Sequence, residues 1–274
     1  MKIGYIDYVN CYPFYHGIFS HGQCSGHEII PAYPGILNEM MRKGQLDLSP
    51  ISSAAYADMQ NSLFLLPQFC LSSEGYVRSV VLMSHVPIEE LAGKKIGLTS
   101  ASETSRVLLK ILLEKYYDVK GEYEDVKPDA ALEGYDALLL IGNEALKLPS
   151  EPVEYIYDIG DLWMRKTGHP VVFAVFAFQK SLNQQKKEAL NEVIDCFEQS
   201  LVLFNNEKSQ IINAAEKRYP DVDFNIGDYY DLLRYRFSAH LKDALVFYYE
   251  EAAALELLNP VEELNFSSEE VFNG

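Results

Sequence analysis

The sequence predicts an α/β protein of two lobes with a helical C-terminal segment. Three observations carry that expectation. Strand-length apolar runs alternate with helix-period segments through short loops. The alternation restarts near Pro87. No Gly/Ser-rich linker separates the two units. The opening run Lys2–Ile6 reads as a strand, and Pro13 follows to open a short helix over 13–19. A strand over 28–32 precedes a helix-period segment from Pro34 that ends at Gly44. A strand over 46–49 turns through Pro50-Ile51-Ser52-Ser53 into a helix over 54–59. Extended runs follow over 63–70 and 76–84.

In the second unit a helical turn over 87–95 leads to a strand over 96–98. The hydroxyl-rich run Thr99-Ser100-Ala101-Ser102-Glu103-Thr104-Ser105 comes next, then apolar helix spacing over 107–113. Strands are expected over 122–126, 137–141 and 154–157. The continuous apolar run 171–178 reads as a strand buried on both faces, and 181–258 is almost all helix. Two extended passages, one into the second unit and one out of it, predict an inserted lobe. Residues 1–83 and 176–274 would form the first lobe and 84–175 the second, with a ligand cleft between them. A single doubly wound domain with extra helices fits the same element order.

Composition narrows the function classes. The formal charge of −17 speaks against nucleic acid and anionic membranes. No run approaches the roughly 18 apolar residues of a membrane span. An opening on a core strand, with no basic or long apolar leader, predicts a cytoplasmic protein. Cys11, Cys24, Cys70 and Cys196 are scattered, so reduced thiols are expected, and Cys11 reads as a small buried thiol. The six His show no metal-ligand spacing, and no metal site is expected. Seven Glu and no basic residue between Glu250 and Gly274 read as a solvated edge.

Three turn-to-helix segments offer hydroxyls or amides at helix N-termini, where unpaired N–H groups bind carboxylates without Lys or Arg. They are Pro50-Ile51-Ser52-Ser53, the run from Thr99 to Ser105, and Gly142-Asn143-Glu144. Ordinary capping explains one hydroxyl, whereas five of seven residues carry one in the second segment. Asn10, at the carboxyl end of the first strand, lies where open α/β sheets place ligands. Asp7 and Asp47 read as structural, Asp158 and Asp161 as caps, and Trp163 as core. Arg78, Arg106 and His169 are the basic residues nearest the expected cleft, and the sequence assigns them no role.

The segments Ile3-Gly4-Tyr5-Ile6-Asp7-Tyr8-Val9-Asn10-Cys11-Tyr12-Pro13, Gly44-Gln45-Leu46-Asp47-Leu48-Ser49-Pro50-Ile51-Ser52-Ser53 and Gly75-Tyr76-Val77-Arg78-Ser79-Val80-Val81 resemble one family. So do the run from Leu98 to Ser105, Leu140-Ile141-Gly142-Asn143-Glu144, and Asp158-Ile159-Gly160 with Trp163, Thr167-Gly168 and the stretch from Pro170 to Ala174. In this collinear order they are similar to the chorismate dehydratases of the futalosine route to menaquinone, up to about Phe178. The resemblance implies a type II periplasmic-binding-protein-like fold and a lyase with no cofactor. Its small-molecule substrate would be chorismate and its product 3-[(1-carboxyvinyl)oxy]benzoate, with the substrate's enolpyruvyl carboxylate as base. It further implies that Asn10 and Ser79 serve the chemical step, Ser79 from the strand that crosses between lobes. Ser52, Ser53, Thr99, Ser100, Ser102, Thr104 and Asn143 would bind substrate. The family commonly has Gly-Asp where this chain has Gly142-Asn143. Two other readings use the same fold: a non-catalytic binding protein for small anions, and a 1,4-dihydroxy-6-naphthoate synthase.

Overall fold

The computed structural model describes residues 1–22, 24, 26–147, 149 and 152–266. Of the acidic C-terminal stretch, Glu269 and Glu270 lie outside the described residues. The chain begins with β1 (Lys2–Ile6), α1 (Tyr12–His21), β2 (Glu28–Ala32), α2 (Pro34–Arg42), β3 (Leu48–Ser52), α3 (Ser53–Met59) and β4 (Leu63–Ser73). It continues through β5 (Val80–Ser84), β6 (Lys95–Thr99), α4 (Glu103–Ile111), β7 (Glu122–Val126), β8 (Ala137–Ile141), α5 (Gly142–Ala145), β9 (Tyr155–Asp158) and α6 (Ile159–Thr167). The remainder is β10 (Val171–Gln179), α7 (Gln184–Asn206), α8 (Lys208–Arg218), α9 (Ile226–Leu232), β11 (Leu233–Arg236) and α10 (Ala239–Ala254).

Two sheets result. The first has the order β11-β4-β10-β3-β1-β2 and the second β7-β6-β8-β5-β9. Strands β1, β2 and β3 are parallel, as are β6, β7 and β8, so each set aims its carboxyl ends one way. The apolar run predicted to be buried on both faces is β10, held antiparallel between β3 and β4. Its first eight residues are all buried. Pro13 opens α1, and Gly22 ends it in the left-handed conformation that lets a helix stop without a Cβ clash.

The structure departs from the sequence reading in five places. Residues 50–52 are not a turn but the second half of β3, paired with β10 through Phe176 opposite Pro50. Pro50 lacks an N–H, which disguises a strand. Within the expected helical tail, β11 adds an edge strand to the first sheet beside β4. The passage 76–79 is not extended. Arg78 takes a left-handed φ of 64°, and the Asp158 carboxylate accepts the N–H groups of Val77 and Arg78. Sheet membership puts β5 wholly in the second sheet and β10 wholly in the first. The crossings therefore fall at 74–79 and 168–170, and the divisions expected at 83/84 and 175/176 cut through strands. Finally, Cys24 and Cys196 form a disulfide, their Cα atoms 6.6 Å apart, where reduced thiols were expected. Cys11 and Cys70 are free and buried.

Candidate functional site

The carboxyl-terminal residues of β1, β3 and β8, namely Ile6, Ser52 and Ile141, come together in the gap between the sheets. They enclose a chamber of about 40 Å³. Asn10 reaches it from a single 3-10 turn, Val9–Cys11, that follows β1. Ser52 enters from the end of β3, with its backbone N–H donated to the Asn38 side chain at 3.0 Å. From the second sheet come Ser79, in the bend before β5, and Ser102 and Ser105 at the start of α4. Ser102 caps that helix by accepting the Ser105 N–H, and the two hydroxyls lie 3.1 Å apart. Leu71, Val77, Phe173, Ala174 and Leu233 complete the apolar wall.

Ser79 is fixed from two sides. Its carbonyl accepts the Gly142 N–H at 2.8 Å. The left-handed Arg78 before it is pinned by Asp158 at 2.6 Å. Asn10 is held through its neighbour, since Val9 donates its N–H to Asn143 Oδ1 at 2.9 Å and accepts from the Tyr230 hydroxyl. The Asn10 Oδ1 is buried and unpartnered.

The chamber thus gathers four of the nine residues expected at the site: Asn10, Ser79, Ser52 and Ser102. The other five do different work. The Ser53 hydroxyl donates to the Val172 carbonyl at 2.7 Å. Thr104 lies between the sheets, donating to the Phe173 carbonyl at 2.9 Å and accepting the Ala54 N–H. Thr99 accepts the Ala101 N–H. Ser100 is exposed on the outer rim. Asn143 lines a second cavity of about 270 Å³ rather than the chamber. Ser79 precedes the strand and is not on it. Arg78 donates to the Ala145 carbonyl, Arg106 pairs with Asp125, and His169 stacks on Phe247 at 4.0 Å, so none of the three lines the chamber.

Sequence reasoning missed Ser105 and Tyr8. Ser105 sits in the hydroxyl-rich run, and that density was its signal. Tyr8 separates the chamber from the 270 Å³ vestibule and lines both. Its ring lies against Gly142, where an added Cβ would stand 2.4 Å from it. Gly142 also has a φ of +60°, so only glycine meets both demands. A larger cavity, about 460 Å³, lies beside β11, but its cations Lys208, Arg234 and Arg236 are already paired with Asp231, Glu74 and Glu198.

Behind Tyr8, in the vestibule wall, Glu144 is buried and neither carboxylate oxygen has a hydrogen-bond partner. Burial pushes its carboxyl up to about 7; the Asp129 charge adds to the rise, while Lys147 opposes it. The folded state therefore favours the protonated form. Its stability falls as pH rises from the unfolded value near 4.5 to about 7. Glu144→Gln should match the wild type at pH 5 and unfold at a higher temperature than it at pH 8. Thermal midpoints at the two pH values check this, and equal midpoints at pH 8 would contradict it.

Comparison with known proteins adds the following. A family described as menaquinone biosynthesis matches residues 1–254. The chain is 33% identical to a chorismate dehydratase of Thermus thermophilus over 69% of its length and 76% of that protein's. It is 24% identical to a 1,4-dihydroxy-6-naphthoate synthase of the same organism, over 58% and 57% of the two chains. Among solved structures, the alkanesulfonate-binding protein SsuA of Xanthomonas axonopodis superposes with a TM-score of 0.70 at 15% identity, covering 97% of this chain and 96% of the other. The two-sheet architecture is thus that of type II periplasmic-binding-protein-like folds.

Proposed function

The chain belongs to the menaquinone biosynthesis family, as a homologue of chorismate dehydratase, and from that premise we propose that it converts chorismate to 3-[(1-carboxyvinyl)oxy]benzoate. The observation that carries this reading is the composition of the chamber. Hydroxyls, one amide and apolar walls line it, and among the described residues no carboxylate, imidazole, amine or guanidinium does. Such a surface lacks a tuned acid–base pair, and this reaction does not require one from the protein. A proton leaves the ring carbon that bears the enol ether, and its electron pair becomes a ring double bond. The adjacent carbon–oxygen bond breaks, and the oxygen departs as water. The substrate's enolpyruvyl carboxylate takes the ring proton and returns one to the departing oxygen, so no protein group changes its protonation state. Aromatisation supplies the driving force.

The protein holds a dianion in one conformation and stabilises charge that spreads towards the ring carboxylate. Asn10 and Ser79 act at the reacting edge. Ser52 and Ser102, with Ser105, bind carboxylate at the start of α4, where the helix dipole and free N–H groups favour an anion. A chain of charge −17 exerts no long-range attraction on a dianion, so recognition rests on these short-range donors. The reaction belongs to the futalosine route and takes place in the cytoplasm. Among the described residues no helix is long and apolar enough to cross a membrane.

Incubating purified protein with chorismate should yield an aromatic enolpyruvyl ether, followed by absorbance and mass. Chorismate bound but recovered unchanged would overturn the enzymatic reading and leave a binding protein. The naphthoate synthase alternative rests on lower identity over a shorter stretch.

A further inference from the structure

We propose that Asn38 is a positioning residue that holds Ser52 and Ser102, which reach the chamber from opposite sheets, at one fixed spacing. The inference rests on the reading above that these two hydroxyls bind substrate. Asn38 lies on α2, its side chain is fully buried, and it does not line the chamber. Its Oδ1 accepts the backbone N–H of Ser52, the last residue of β3, at 3.0 Å. Its Nδ2 donates to Glu103 Oε1 at 2.9 Å. Glu103 is the first residue of α4, and Ser102 is the cap directly before it. One amide group thus spans the two sheets and ends, on each side, at or beside a residue of the chamber.

The chemistry of the two ends allows a single orientation. A backbone N–H only donates and a carboxylate only accepts, so the amide oxygen must face Ser52 and the amide nitrogen Glu103. An aspartate here would lose the donor, and a leucine both bonds. Other ties between the same parts of the chain end elsewhere. The Gly35 N–H donates to the Ala101 carbonyl at 3.0 Å, the Ala54 N–H to Thr104 Oγ1 at 3.1 Å, and Arg42 to Glu103 Oε2 at 2.6 Å. They keep α4 against the first sheet, yet none has a chamber residue at either end. Among these ties Asn38 alone carries the position of Ser52 across to the start of α4. A buried amide that loses one bond leaves a stranded polar group, so the pair of bonds resists a change in spacing.

The test is a donor swap. Asn38→Asp keeps the shape and the oxygen that faces Ser52 but sets a carboxylate oxygen against Glu103. It should lower kcat/KM for chorismate about 10- to 100-fold, the cost of misplaced site groups. Glu103→Gln alone should cost no more than about fivefold, since its amide oxygen still accepts from Asn38. In the double variant the new amide at position 103 donates back to the new carboxylate at position 38, and kcat/KM should return to within about fivefold of wild type. Rates are measured well below each thermal midpoint, where a loss of stability alone leaves them unchanged. A double variant no faster than Asn38→Asp, or an Asn38→Asp enzyme within twofold of wild type, would overturn the proposal. Should Asn38→Asp not fold, Glu103→Ala cuts the same bond at a partly exposed residue. It should lose about 10-fold or more, and a rate within twofold of wild type would be equally fatal. Amide hydrogen exchange at Ser105, whose N–H is held by Ser102 Oγ, reads the start of α4 without turnover. It should quicken in Asn38→Asp and recover in the double variant, and exchange unchanged in Asn38→Asp would refute the positioning role. Wild-type protein that leaves chorismate intact while exchange follows this pattern would sink the functional reading alone.

Discussion

Asn10→Ala and Ser79→Ala should each lower chorismate turnover by about 10²–10³-fold, the usual cost of one donor aimed at developing charge. Neither should move the thermal midpoint by more than about 2 °C. The two effects separate because of how these side chains are built in. The Asn10 Oδ1 is buried with no partner, so removing the amide takes away a destabilising group along with its packing. Ser79 is held by its backbone, through the Gly142 N–H on its carbonyl and the Asp158 cap on Arg78, and both survive truncation to Ala. Ser53→Ala and Thr104→Ala supply the contrast. Their hydroxyls satisfy buried carbonyls of β10, so their loss should appear mainly in the midpoint, at about 1–3 kcal/mol for a stranded acceptor. Steady-state kinetics and thermal scans on the four variants check the pattern. Comparable losses of rate and midpoint at Asn10 would assign it a structural role.

The same four residues show what a sequence discloses and what it withholds. The strand ends were legible because hydrophobic period and Pro/Gly punctuation are local, and they brought Asn10, Ser52 and Ser102 to the chamber. A hydroxyl in such a turn does not declare which way it points. Ser53 and Thr104 differ from Ser52 and Ser102 only in lying one or two positions further along a helix start, which rotates them towards β10. That rotation belongs to the packing of two sheets and leaves no trace in spacing. Residues 50–52 read as a turn because Pro50 suppresses the strand signal, although they pair with β10. Glu144 illustrates the converse: it was quoted within a candidate segment, but its burial, and hence its raised carboxyl, comes from the surroundings of Tyr8 and Asp129.

Gly35→Ala should cost about 10- to 100-fold in turnover while both sheets remain folded, because the two halves of the site would no longer close on each other. A chamber of about 40 Å³ is too small for chorismate, so on the function proposed above the substrate would enter with the sheets parted and react with them closed. Gly35 sits where they meet. Its N–H donates to the Ala101 carbonyl at 3.0 Å, and an added Cβ would lie 2.4 Å from the Ser100 carbonyl oxygen. That obstacle is backbone, and α2 beside it is tied to α4 by Asn38 and Arg42 on Glu103 at 2.9 and 2.6 Å. No side chain can turn aside, so the methyl must push α4 outwards. Ser102 and Ser105 ride on that helix start and would retreat from Ser52 and Asn10 by several tenths of an ångström or more, and a displacement near 1 Å costs about 10²-fold. The backbone of Gly35 is not in the left-handed region, so alanine adds no strain of its own. It also lowers the entropy of the unfolded chain, which offsets part of the lost contact. Gly26→Ala, with nothing within 4 Å of the new methyl, is the matched control and should be indistinguishable from wild type. Kinetics together with solution scattering in the presence of product would read both consequences. A Gly35→Ala protein of wild-type rate and compactness would mean that catalysis does not pass through this closed arrangement.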